Sequence, residues 1–133
     1  MQLNITTDYA IRILVYLGST NRLTTAKEIS DNMSITQNYI IKIMKKLKDA
    51  DIIETYSGVN GGYKLKKNSD EINFLGIMEI MEKSIKIHRC LENNTCCSKN
   101  SIAGCTIHKY YKLIQNDLES NLKKITIKSC IDT

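Results

Sequence analysis

Residues 90–108 constrain the fold of this chain most, because they cannot order themselves. Cys90, Cys96, Cys97 and Cys105 fall inside this stretch, and His108 closes it three residues past the last thiol. Asn, Ser, Thr and Gly fill most of the space between them, residues that favour loops and bury little apolar surface. Such a loop needs something other than a packed core to hold it, and closely spaced thiols suggest a metal or cluster.

Composition narrows the setting. With 133 residues, 42% of them hydrophobic, the chain suffices for one small domain, or one domain with an added oligomerisation element. No run of about eighteen apolar residues occurs, so no membrane span is expected. The first residues lack the basic-then-apolar pattern of a signal peptide, and a cytoplasmic location is expected. In a reducing cytosol, clustered thiols are more often metal ligands or redox groups than disulfides. The net charge of +5 suits a nucleic-acid partner without requiring one.

The N-terminal half reads in order. Ala10, Ile13, Leu14 and Leu17 recur at helical spacing and predict a helix over 7–18, with Gly18 as its stop. Thr25, with Glu28 three residues on, is a capping box for a second helix, with Ala26, Ile29 and Met33 inward. Thr36 then caps a third helix running to about residue 50, whose buried stripe is Ile40, Ile43, Met44 and Leu47. This helix opens with Thr36, Gln37 and Asn38 and continues with Lys42, Lys45, Lys46 and Lys48. Gln and Asn can read adenine edges while lysines meet phosphates. The plainer alternative is a solvated, lysine-rich outer face.

The segment after the third helix favours DNA. Residues 52–56 and 63–67 read as two strands joined by a turn containing Gly58, Asn60, Gly61 and Gly62. Helix, turn, helix and glycine-tipped hairpin is the order of a winged helix-turn-helix. Asn60, Gly61 and Gly62 would let backbone approach a phosphate or groove wall, and Lys64, Lys66 and Lys67 charge the wing. Asn73 caps a short apolar helix ending at Met81. Beyond the cysteines, Ile107, Tyr111, Ile114, Leu118, Leu122 and Ile125 predict a long helix over 106–126. A long helix beyond a complete small domain needs a partner surface, so it reads as a dimerisation helix. The expected fold is mainly α with a small β-hairpin. A winged helix-turn-helix domain would span 1–82, and the cysteine loop and dimerisation helix 83–133. No glycine-rich phosphate loop comes after a strand and no Ser/His/Asp constellation is present, so no enzyme is expected.

Thr7, Asp8, Tyr9 and Ala10 in the first helix, Gly58 to Tyr63 in the wing, and the cysteine loop before a long helix together carry a resemblance. The chain resembles the IscR/NsrR family of bacterial winged-helix regulators, the Rrf-two type, over nearly its whole length. The resemblance implies a homodimer on a palindromic double-stranded operator, most simply as a repressor. It implies an iron–sulfur cluster, of two or four irons, on three cysteines of the loop, with DNA affinity set by the cluster's state. The signal would be nitric oxide, redox state or cluster supply. Family spacing selects Cys90, Cys97 and Cys105 as ligands, leaving Cys96 a spectator and Cys130 a free or buried thiol. For the fourth ligand one branch uses a histidine three residues after the third cysteine, matched by His108. The nitric-oxide-sensitive branch uses an aspartate donated by the other subunit, matched by Asp8. Both residues stand as candidates.

One departure from the family is Ser57, where the wing usually carries arginine. Two other functions compete. Three thiols and a histidine also suit tetrahedral zinc in a cluster-free winged-helix regulator, although the gaps exceed the usual two to four residues. An iron–sulfur carrier is the other, for which a winged domain would be superfluous.

Overall fold

The computed structural model describes residues 2–92 and 104–133, so the readings made on Cys96 and Cys97 lie outside the described residues. Those residues form α1 (Ile5–Thr20), α2 (Ala26–Met33), α3 (Gln37–Asp49), β1 (Ile53–Tyr56) and β2 (Gly62–Leu65). They continue through α4 (Phe74–Met81), a 3-10 turn (Arg89–Leu91), α5 (Thr106–Lys124) and α6 (Ile127–Ile131). The fold is mainly helical with one two-stranded antiparallel hairpin, a winged helix-turn-helix as its sequence predicts.

Side-chain caps decide where the helices begin. Asn4, Thr25, Thr36 and Asn73 each accept a hydrogen bond from an amide in the first turn, satisfying donors that have no partner within the helix. Asn4 starts α1 two residues ahead of the apolar period. Thr25 caps α2 as expected, but the Glu28 carboxylate takes Arg22 (2.9 and 3.0 Å) and the Tyr16 hydroxyl (2.6 Å). The capping box is therefore only half made, because two stronger donors reach that carboxylate.

Gly18 does not stop α1. The helix runs on to Thr20, and Asn21 closes it in the left-handed region at φ 50°. Gly18 is small for another reason: a Cβ there would lie 2.6 Å from Ile131 Cδ1 of α6. The helix predicted over 106–126 ends at Lys124, where Ile125 and Thr126 turn extended. Thr126 and Ser129 form a capping box that opens α6. The sequence reading did not foresee α6, and its Ile127 is fully buried.

One core joins these elements. Ala10, Ile13, Leu14 and Leu17 of α1 meet Ile40, Ile43, Met44 and Leu47 of α3, with Ile29, Ile53, Ile77 and Ile127 around them. Burial stabilises each large side chain by about 1.5–3 kcal/mol. Helix propensities differ by only about 0.7 kcal/mol per ordinary residue, so the apolar stripes decide the arrangement.

In the hairpin, Ile53 pairs with Leu65 and Tyr56 with Gly62. Thr24, fully buried, extends it by two backbone bonds with Tyr63 (3.0 and 2.8 Å). This contact explains Gly62, where a Cβ would lie 2.7 Å from the Thr24 carbonyl oxygen. A Cβ at Gly61 would press still closer on the Tyr56 carbonyl oxygen. The glycine pair shapes the wing from within.

Candidate functional site

The cysteine site is built on the start of α5. Cys105 is its N-cap, and the Cys105 Sγ accepts from the His108 amide at 3.4 Å. The His108 ring Nδ1 lies 3.3 Å from Cys90 Sγ. Two thiols remote in sequence thus meet one histidine, Cys105 at its backbone amide and Cys90 at its ring.

What carries Cys90 there is a run of contacts along one face of α5. Positions 108, 111, 115 and 119 are three or four apart and share that face. Lys86 Nζ pairs with Glu119 at 3.3 Å. Gln115, only 2% exposed, accepts from the Ile87 amide at 2.8 Å and donates to the Ile85 carbonyl at 3.0 Å. The His88 ring lies against Tyr111 with centroids 5.1 Å apart, and its Nδ1 accepts from the Cys90 amide. Residues 85–90 are laid antiparallel along the helix by these contacts. The sequence reading missed the clamp. Its only trace was one amide among apolar residues, seven positions after His108.

Among the described residues, no three His, Cys, Asp or Glu side chains are gathered closely enough to hold a metal ion. Cys90 contacts the His108 ring and Cys105 its amide, and the other two loop cysteines lie outside the described residues. Thiolates with an imidazole are a donor set that fits iron–sulfur or zinc chemistry. Cys130 is a half-buried free thiol on α6.

Asp8 stands apart from this group. In the first turn of α1 it pairs with Arg12 Nε at 2.9 Å. Both line an open groove of about 1130 Å³ whose other walls include Met33, Phe74, Met78, Leu118 and Leu122. The start of α1 is tied on two sides. Glu82, the C-cap of α4, accepts from the Asn4 amide and the Thr7 hydroxyl, each at 2.8 Å. Thr6 shares a hydrogen bond with the Tyr39 hydroxyl of α3, and the Tyr9 and Tyr39 rings meet edge to face at 5.7 Å. The start of the third helix is thereby held by the turn that carries Asp8.

The apolar stripe expected along α5 divides. Tyr111, Leu118 and Leu122 turn inward and are half-buried. Ile107 and Ile114 are 61% and 54% exposed, beside exposed Tyr110 and Leu113.

The expected DNA contacts lie on α3 and the wing. Thr36 caps α3, and Gln37, Asn38, Lys42, Lys45 and Lys46 are all exposed. On the wing Asn60 and Lys64 are exposed, while Gly61 and Gly62 are half-buried. Lys66 is engaged by Asp51 at 3.1 Å. No helix among the described residues is long and apolar enough to cross a membrane.

Comparison with known proteins gives these features a family. Residues 3–133 match the Rrf2 family, described as iron-dependent transcriptional regulators. The chain is 35% identical over 100 residues to the HTH-type transcriptional regulator NsrR of Shouchella clausii, covering 72% of this chain and 67% of that protein. NsrR of Halalkalibacterium halodurans is similar at 34%, over 72% and 68%. The fold matches that of CymR, the global cysteine regulator of B. subtilis, at TM-score 0.82 and 16% identity, over 99% and 97% of the two chains. It also matches T. potens IscR at TM-score 0.76 and 16% identity, over 99% and 87%. Those two likenesses bear on fold alone. The chain belongs to the Rrf2 family: it is a DNA-binding transcription regulator and not an enzyme.

Proposed function

We propose that this protein is a cytoplasmic, homodimeric repressor whose operator affinity is set by an iron–sulfur cluster at the start of α5. The observation that carries the reading is that Cys105 bonds the His108 amide and Cys90 the His108 ring, with the Gln115 clamp bringing Cys90 there. Cys90 and Cys105 would hold the group together with Cys97. Residues 83–133 would serve sensing and dimerisation, and residues 1–82 DNA. A cluster bound there supplies iron that can react with nitric oxide, most readily where its ligand is weaker than a thiolate.

Two residues compete for that weak position. His108 lies beside Cys90 in its own chain. Asp8 pairs with Arg12 on the wall of the groove, so it would serve the loop of a second copy. The exposed apolar face of α5 supports such a second copy. Asp8 as ligand would tie one subunit's first helix to its partner's loop, and through Thr6 and Tyr39 to the reading helix. His108 as ligand would close the site within one chain.

Anaerobically purified protein tests the reading. It should absorb in the visible, show iron–sulfur signals in its Mössbauer spectrum, and lose operator affinity when nitric oxide is added. Serine at Cys90, Cys97 or Cys105 should abolish the cluster, whereas serine at Cys96 or Cys130 should not. Of Asp8→Ala and His108→Ala, the variant lacking the true ligand should lose the nitric-oxide response. Colourless, iron-free protein would sink the proposal.

A second reading, a tetrahedral zinc, fits the same donor atoms. A sulfur and a nitrogen at about 2.3 and 2.0 Å from one tetrahedral zinc lie roughly 3.5 Å apart. The Cys90–His108 separation of 3.3 Å is close to that. Stoichiometric zinc in the colourless protein would establish it.

A further inference from the structure

Helix α3 carries an apolar side chain that its own fold does not use. Ile40, Ile43, Met44 and Leu47 are at most 1% exposed, yet Ile41 is 47% exposed. Single exposed apolar residues are ordinary on protein surfaces. The position of this one is not. At about 100° per residue, Ile41 lies roughly 40° from Gln37 and from Lys45, and about 60° from Asn38. It therefore sits on the polar, cationic face between exposed Gln37 and Lys45, with buried Met44 about 60° to one side. Ile41 is not among the residues lining the groove between α1, α4 and α5, so that groove gives it no cover.

An isoleucine on such a face cannot hydrogen-bond a base edge. The apolar group that B-DNA offers in the major groove is the 5-methyl of thymine. A β-branched side chain is stiff at χ1, so it can present its methyls there with little loss of freedom. Lys42 and Lys45 on the same face would hold the helix against the flanking phosphates. We propose that Ile41 reads a thymine methyl in each operator half-site, a specificity determinant that works by shape and hydrophobic contact. The inference rests on α3 being the helix that enters the groove.

The test uses the full-length, anaerobically purified protein and an operator duplex that it has selected from a random library. Each half-site thymine is replaced in turn by deoxyuridine, which removes only the methyl. One symmetry-related position should weaken wild-type binding by about fourfold per half-site, about fifteenfold for the pair. Ile41→Ala should bind the natural operator more weakly and be indifferent to uracil at that position. Ile41→Leu, which keeps an apolar side chain, should retain part of the uracil penalty. A wild-type protein indifferent to every thymine-to-uracil change overturns the inference. So does an Ile41→Ala protein that keeps the full penalty, or a selected half-site without thymine. Lys45→Ala separates this from failure of the underlying reading. If it weakens binding while the uracil series is silent, Ile41 alone is misassigned. If it too changes nothing, α3 is not the reading helix.

Discussion

Gln115 shows how much one buried amide can decide. Its carboxamide pairs with backbone on both sides of Lys86, bonding the Ile85 carbonyl and the Ile87 amide much as a neighbouring strand would. Gln115→Leu would keep the volume but leave both groups without partners, at a cost of about 1–3 kcal/mol. We expect its melting temperature to fall by several degrees, and the anaerobic protein to lose bound iron faster to a chelator. Unchanged melting and unchanged iron release would show that Cys90 is positioned without the clamp. Gln115 looked ordinary in sequence because nothing local marks an amide that bonds a segment some thirty residues away. Cys90, Cys105 and His108, by contrast, lie in the thiol-rich stretch that the sequence marks, and the family resemblance names them as candidates.

Among the elements, α2 adds a surface charge pair to the packing of its buried Ile29. Arg22, and then the Tyr16 hydroxyl, hold the Glu28 carboxyl below the usual glutamate range, while Glu28 pushes the Tyr16 phenol up. Because the folded-state value is depressed, this contribution is present above the ordinary glutamate value of about 4.3 and is lost as pH falls through the lower folded one. Glu28→Gln should therefore melt below wild type at neutral pH, with the gap closing as the solution is acidified. A gap that stayed constant down to the acid limit of folding would show that the carboxylate's charge does not matter. The second, third and fourth helices were legible because their caps and apolar periods are local. The end of α1 was not, since Gly18 answers to Ile131 on α6.

At the scale of the whole molecule, the single chain leaves one face of α5 unused. Ile107, Tyr110, Leu113 and Ile114 remain exposed on a helix whose other face is fully engaged. In a homodimer they would be buried. Ile114→Glu would then place an unpaired charge in the interface, at a cost of about 3 kcal/mol or more and a hundredfold weaker dimer. Sedimentation should find this variant monomeric at concentrations where wild type is dimeric, with operator affinity falling alongside. A wild-type protein that is monomeric with and without its cluster would remove the dimer from the proposal.

The sequence by itself determined the winged helix-turn-helix order, the three-and-four stripes of α1 and α3, and the residue types of the cysteine site. These depend on helical period, on caps that bond within three residues, and on the chemistry of thiols, all short-range properties. Only the tertiary structure decided how the apolar arc of α5 divides between its own chain and solvent, and that α6 returns to bury Ile127. It alone set Gln115 against residues 85–87 and left Ile41 uncovered. Those outcomes depend on which surfaces meet after the chain has turned back on itself, and no local periodicity encodes that.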